Sequence, residues 1–189
     1  MARPREFDTD AALADIMSVF WRNGFEGASM QAIETATGLN KQSLYRLFPD
    51  KRAMYLAALS RYVREELEQA VAALSGPGDA RQRFARLFNA LVRLAEKGDR
   101  SGCFLSNAAV DQAQLDNETR SLVSASMKQV EKKFRETLAQ SQPYSNDPER
   151  CENMAALLLA AYLGVRVLTK ANAPLRLIKS AVSEAVAKI

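Results

Sequence analysis

The residues best suited to chemistry sit in one short run. From Lys41 to Arg52 there are four cations, Lys41, Arg46, Lys51 and Arg52, against one acid, Asp50. Over residues 1–62 the balance is only 8 Lys and Arg against 7 Asp and Glu, so the positive charge is focused on that run. Lys41, Gln42 and Ser43 crowd the start of a short apolar-periodic segment, where the free N–H groups of a helix favour phosphate. Gln42 has the paired donor and acceptor that match adenine, and Lys41 can reach guanine or phosphate. The same cations also describe an ordinary solvated face.

Other chemistries are poorly supplied. The 189 residues contain no His and two Cys, which removes His bases, His triads, His metal ligands, a structural zinc site and a disulfide scaffold. There is no clustered carboxylate pair, no Gly-rich phosphate loop and no metal-ligand spacing, so neither an enzyme, a cofactor nor a metal is expected. A nucleophilic Cys103 would have no His partner. The net charge of +4 is a mild lean toward an anionic partner. The longest uncharged apolar stretch, Met154 to Val165, is short for a bilayer span, and the charged N-terminus has no signal-like apolar core. The expectation is a cytoplasmic chain with free thiols and no membrane partner.

The elements that must position these residues are helices. Leu13, Ile16, Met17 and Phe20 share one face, and Gly24 is the expected stop. Ser29 starts a short helix over Met30–Thr37. Gly38-Leu39-Asn40 turns the chain, and Asn40 caps a second short helix over Lys41–Phe48. Two short helices joined by a tight Gly turn are a helix-turn-helix, whose second helix enters the major groove. Pro49-Asp50 caps a long fourth helix to about Leu74, on the order of 36 Å at about 1.5 Å per residue. Further helices are expected from Phe84 to Leu94, from Cys103 to Ala113, and from Glu118 to Gln140. A polar loop over 142–147 leads to Asp147-Pro148, a cap-then-Pro helix start, and Asn172-Ala173-Pro174 restarts a last helix. The fold class is all-α, with about nine or ten helices. The expected division gives a 1–62 module, its helix-turn-helix at about 29–48, and a larger 63–189 part.

The stretch Gly27 to Lys51 resembles the DNA-binding module of the TetR family of transcriptional repressors. The match includes Phe20, Asn23-Gly24-Phe25 and the Leu-Tyr-x-x-Phe-x-x-Lys pattern at Leu44, Tyr45, Phe48 and Lys51. The resemblance implies a homodimeric regulator, most simply a repressor, that binds a palindromic double-stranded operator and is released by an unknown small-molecule effector. It implies that Ser29 caps its helix and touches phosphate, that Lys41, Gln42 and Ser43 face the groove, and that Tyr45 and Lys51 hold the backbone. Gln31, Asn40 and Arg46 join that set, and Arg3 and Arg5 add a flexible contact. Ile33, Ala36, Leu39, Leu44 and Phe48 would form the small core beneath. Two positions depart from the pattern: Leu47 stands where His or Tyr is common, and Glu34 where a small residue is.

The larger part would supply dimerisation and ligand binding. The helix around Met154–Val165 is apolar on more than one face and must be covered on all sides. With the 118–140 helix it is expected to form a four-helix interface through Met127, Val130, Phe134, Leu138, Leu157, Leu158, Ala161 and Val165; a place in the monomer core is the alternative. Phe84, Phe88, Leu91, Cys103, Phe104, Asn107, Val110, Tyr162 and Arg166 are the pocket candidates, and most of them would serve equally as core. Arg166, a cation amid apolar residues, needs an anionic partner, either a ligand or one of Asp111, Glu152 and solvent. Gly102-Cys103-Phe104-Leu105 resembles a segment in a subgroup of these repressors, some of which sense electrophiles or oxidants. A thiol at a helix start, with Arg100 nearby, fits that role, and a small buried hydrophobe is the other reading of Cys103. The rival to a regulator is a helical scaffold protein that binds no specific duplex.

Overall fold

Most helix starts in the chain are written as a capping side chain. Asp8, Ser29, Asn40, Asp50, Asp79, Asp116 and Asp147 each accept backbone N–H groups at the first turn of a helix. Such caps satisfy donors that have no partner inside the helix. A computed structural model describes residues 8–111 and 116–189. Among the described residues it contains α1 (Thr9–Gly27), α2 (Met30–Thr37), α3 (Lys41–Leu47), α4 (Lys51–Leu74), α5 (Ala80–Glu96), α6 (Phe104–Asp111), α7 (Asn117–Leu138), α8 (Pro148–Lys170) and α9 (Leu175–Ala187), with no strand.

Several boundaries differ from expectation. Gly24 does not end α1; at φ 70° it kinks the helix, which resumes to Gly27. The kink swings Phe25 back against Tyr55, ring centroids 5.3 Å apart. Phe48 lies just outside α3 as its C-cap. Cys103 precedes α6 and accepts the Asn107 N–H through its carbonyl. The expected polar loop at 142–147 carries a 3-10 turn over Tyr144–Asn146, and Tyr144 is buried. By length and composition α8 could cross a membrane, because the helix runs beyond the apolar stretch counted in the sequence. Here its Ala155, Leu158, Tyr162 and Val165 face is buried, and it packs on α5, α7 and α9.

Two buried clusters divide along α4. The first joins α1, α2, α3 and the start of α4, to Tyr62, with Cys103, Phe104, Leu105 and Ala108, and with Val123 of α7. The second begins at Ala70 and gathers α5, α7, α8 and α9. The first cluster is therefore completed by the segment from Cys103 through α6 and by α7, which arrive from more than forty residues further along the chain. Phe104 meets Tyr55 and Tyr62 edge-on, at 5.4 and 5.8 Å.

Phe134 anchors the second cluster, fully buried and edge-on to Phe84 at 5.1 Å. Phe134→Ala should cost about 3–5 kcal/mol of stability, the usual penalty for emptying such a site. Urea unfolding followed by circular dichroism checks this, and a loss below about 1 kcal/mol would mean that the site collapses freely.

Candidate nucleic-acid interface and internal cavity

The α2–α3 turn is fixed by three local devices. Gly38 takes φ 65°, the left-handed cap, with nothing near its missing Cβ, so the conformation and not space requires glycine. The Leu39 side chain plugs inward at 7% exposure. Asn40 Oδ1 accepts the Ser43 N–H at 2.8 Å. Ile33 and Leu44 are fully buried beneath, with Leu47 and Phe48 half-buried beside them. Ala36, expected in this core, is exposed, because the inward side of this short helix is the one that carries Ile33.

This core pushes the polar residues outward. Lys41, Gln42, Tyr45 and Arg46 are exposed on α3, and Ser43 is half-buried. Lys41 Nζ lies 5.9 Å from the Tyr45 ring centroid. Gln31 is exposed on α2. The oxygens of Ser29 and Asn40 are engaged in capping, which leaves the Ser29 hydroxyl hydrogen and the Asn40 amide as donors. Lys51 opens α4 with its ammonium 4.7 Å from the Phe25 ring centroid. Arg3 and Arg5 lie outside the described residues. The helix α3 carries two cations and no acid, a surface that offers donors to an anionic backbone.

Arg52 counts toward the basic run but is committed elsewhere. It bonds Asp116 at 2.5 Å and Glu118 at 2.7 Å, tying the start of α4 to the start of α7. The Arg52 guanidinium, with Thr119 and the Glu118 N–H, holds the Asp116 carboxyl well below the usual carboxylate range. A depressed folded-state value gives stability that is complete above the ordinary Asp pKa and lost as pH falls below it.

The expected pocket residues disperse. Phe84, Phe88 and Phe104 are core. Val110 is 76% exposed and lines nothing, because the inward face of α6 is Phe104, Leu105 and Ala108. Asn107 is half-buried, with its amide nitrogen unpartnered. Cys103 and Tyr162 border a slot of only about 20 Å3. Leu91 and Arg166 do line a cavity of about 230 Å3, together with residues that no sequence pattern singles out: Trp21 of α1, Glu65 and Glu66 of α4, and Asp99.

Arg166 finds none of its expected partners. It is 6% exposed and donates to Tyr62 Oη at 2.6 Å and to the Gly102 carbonyl at 2.9 Å, with Glu66 Oε1 at 3.0 Å. Tyr162 Oη donates to the same Glu66 carboxylate. Glu152 instead faces Arg135 at 3.5 Å. Burial pushes the Tyr62 and Tyr162 phenols well up, so both stay neutral. Arg100 bonds the Ala95 and Asp99 carbonyls, and Cys103 is 3% exposed with its sulfur accepting the Ser106 N–H at 3.4 Å.

Four of the expected interface residues, Phe134, Leu138, Leu158 and Val165, are buried in the chain's own core, and Met127, Val130 and Ala161 are half-buried. The outer face of α8 is Ala156, Leu157, Ala160, Gly164 and Val167, with Leu157 at 50% and Val167 at 54% exposure. The all-round apolar sequence of α8 hid which face turns inward.

Residues 12–58 match the family model for bacterial regulatory proteins of the tetR family. The chain is 30% identical over 135 residues to the uncharacterized HTH-type transcriptional regulator YezE of Bacillus subtilis, spanning 71% of this chain and 70% of that protein. It is 26% identical over 180 residues to the HTH-type transcriptional repressor ComR of Escherichia coli, spanning 92% and 84%. A solved structure of a cysteine mutant of the TetR family regulator CifR, complexed with 26-base-pair operator DNA, superposes with a TM-score of 0.86 at 28% identity and covers 98% of each chain.

Two measurements test the local devices. Asn40→Ala should cost about 1 kcal/mol through the lost cap, seen as a lower thermal midpoint. Arg52→Ala should flatten the fall in thermal midpoint between about pH 4 and pH 2, because Asp116 then titrates near its ordinary value. An unchanged acid limb would show that this pair contributes nothing.

Proposed function

The chain belongs to the TetR family of bacterial regulators, and from that premise we propose that it binds a palindromic operator as a homodimer and represses transcription until an effector releases it. The observation that carries this is the exposed, acid-free face of α3 on a capped and buried turn. Residues 1–62 would be the reading module and 63–189 the effector and dimer part, with no enzymatic role and with cytoplasmic placement beside the DNA. Gln42 and Lys41 would meet base edges. Tyr45, Arg46, Ser43, Lys51 and the donors of Ser29, Gln31 and Asn40 would hold phosphates. The operator-bound CifR structure supports this reading.

A two-fold dimer places two reading helices one duplex turn apart, or a multiple of it. The exposed apolar face of α8 (Ala156, Leu157, Ala160, Gly164 and Val167) would be its centre, since small residues allow close helix approach. The cavity under α4 would take the effector. Modification of Cys103 is a second route, favoured by the Ser106 N–H on its sulfur; burial of the thiol requires α6 to shift first.

Gel shifts against genomic fragments at stated salt test the reading. Gln42→Ala should cost about 1–3 kcal/mol at one or two base positions only, and Lys51→Ala should weaken all sequences and flatten the salt slope. Equal loss on every sequence for Gln42→Ala would show that it reads no base. Leu157→Arg should yield monomers in sedimentation and abolish operator binding; a variant that stayed dimeric would move the interface elsewhere.

A further inference from the structure

The cavity between α1, α4, α5 and α8 holds two buried donors with nothing to bond. Among the described residues Trp21 Nε1 and Arg166 Nε both lack a partner, and Arg166 is more than nine-tenths buried. Buried donors without acceptors are uncommon and mark a missing group. Both residues line the same space.

The charges around that space are uneven. Arg166 is answered by Glu66. Arg61 is shared between Glu65 at 2.7 Å and Asp10 at 2.6 Å, so that trio is one charge negative. Asp99 accepts the Ser101 N–H and hydroxyl through one oxygen and forms no salt bridge among the described residues, although it also borders the cleft that bears Arg22, Arg100 and Lys170. The wall therefore has a surplus of negative charge beside the Trp21 and Tyr62 rings, which pack edge-on at 4.8 Å. Carboxylates and indole faces both attract organic cations. The shallower cleft beyond Trp21 and Asp99 bears Arg22, Arg100 and Lys170, so the preference for a cation is confined to the inner cavity. At about 230 Å3 the cavity exceeds the roughly 150 Å3 that holds a benzene ring, and suits one ring with a short chain.

We infer that this cavity takes a one-ring organic ammonium that carries an oxygen acceptor, the ammonium toward Glu65 and Asp99 and the oxygen toward Trp21 Nε1 and Arg166 Nε. This rests on the reading of the cavity as the effector site.

Trp21 is the chain's single tryptophan, so its emission reports the cavity directly. The full chain is titrated with three isosteres, 2-phenoxyethylamine, 2-phenoxyethanol and phenoxyacetate. The amine should bind about tenfold or more tighter than the alcohol, with phenoxyacetate silent. Glu65→Gln and Asp99→Asn, both at partly exposed positions and the second keeping the Ser101 acceptor, should each weaken the amine several-fold and leave the alcohol unchanged. Equal binding of amine and alcohol, tightest binding of phenoxyacetate, silence of all three, or amine affinity unmoved in both variants overturns the assignment. A gel shift on a retarded genomic fragment is read in parallel. Amine binding that leaves DNA affinity unchanged supports the ligand class and overturns only the effector reading.

Discussion

A buried guanidinium on α8 sets the geometry of the molecule. Taking Arg166 out of water costs several kcal/mol unless its hydrogens find acceptors in good positions. Three groups from different elements supply them: the Tyr62 hydroxyl and Glu66 carboxylate of α4, and the Gly102 carbonyl ahead of α6. Removing Glu66 would leave the charge uncompensated, and removing the Tyr62 hydroxyl or the Gly102 carbonyl would leave a buried donor unpaired, so the three elements are held together. Gly102 belongs to the same constraint. At φ 70°, a Cβ there would lie 2.9 Å from that of Lys170 and 3.3 Å from the Arg166 carbonyl. Only glycine lets the chain pass this close to α8, and that passage delivers Cys103 and Phe104 to the first core cluster.

The brace at Arg166 is joined to the elements that carry α3 through α4. That helix carries Tyr62 and Glu66 in its middle and Lys51 at its start. Its first turns are tied to α7 by Arg52 and pack with α1 around Tyr55, Phe20 and Phe25. A small rotation of α4 about the Arg166 contact would therefore move α1 to α3 as a unit, since their shared core includes α4 itself. A close-packed core does not deform continuously, so the movement is between discrete arrangements.

The parts legible in the sequence are those governed by neighbours along the chain. The caps at Ser29, Asn40, Asp50 and Asp147, the Gly38 turn and the Lys41–Arg46 face are decided within a few residues, and they stand in the structure. What failed needed partners far along the chain. Arg166 and Glu66 are one hundred positions apart, and no periodicity pairs them. A helix such as α8, apolar nearly all round, offers no pattern to say which side turns inward, so Leu158 and Val165 are expected at an interface and lie in the core. Phe134 and Leu138 of α7 fall inward with them, in the same cluster. Val110 and Ala36 fail for the complementary reason: an apolar side chain on a short helix need not face the core. Trp21 is missed because the sequence groups α1 with α2 and α3, although one edge of it borders the cavity lined by α4, α5 and α8.

That border decides how a bound molecule would act. The cavity wall contains Tyr62, Glu66 and Arg166, the brace itself, and Trp21 of α1. A ligand there touches both clusters at once, so no relay of side chains is needed between it and the cluster that contains α2 and α3. Its effect is limited to the difference in its affinity for two arrangements. Satisfying one buried donor in only one of them is worth about 1–3 kcal/mol. That is the size of typical allosteric couplings, about 5- to 150-fold. Two orphan donors in one wall, on elements from both clusters, are therefore sufficient for a ligand of modest size to select an arrangement, and by linkage any effect of that ligand on a second binding partner is returned by the same factor.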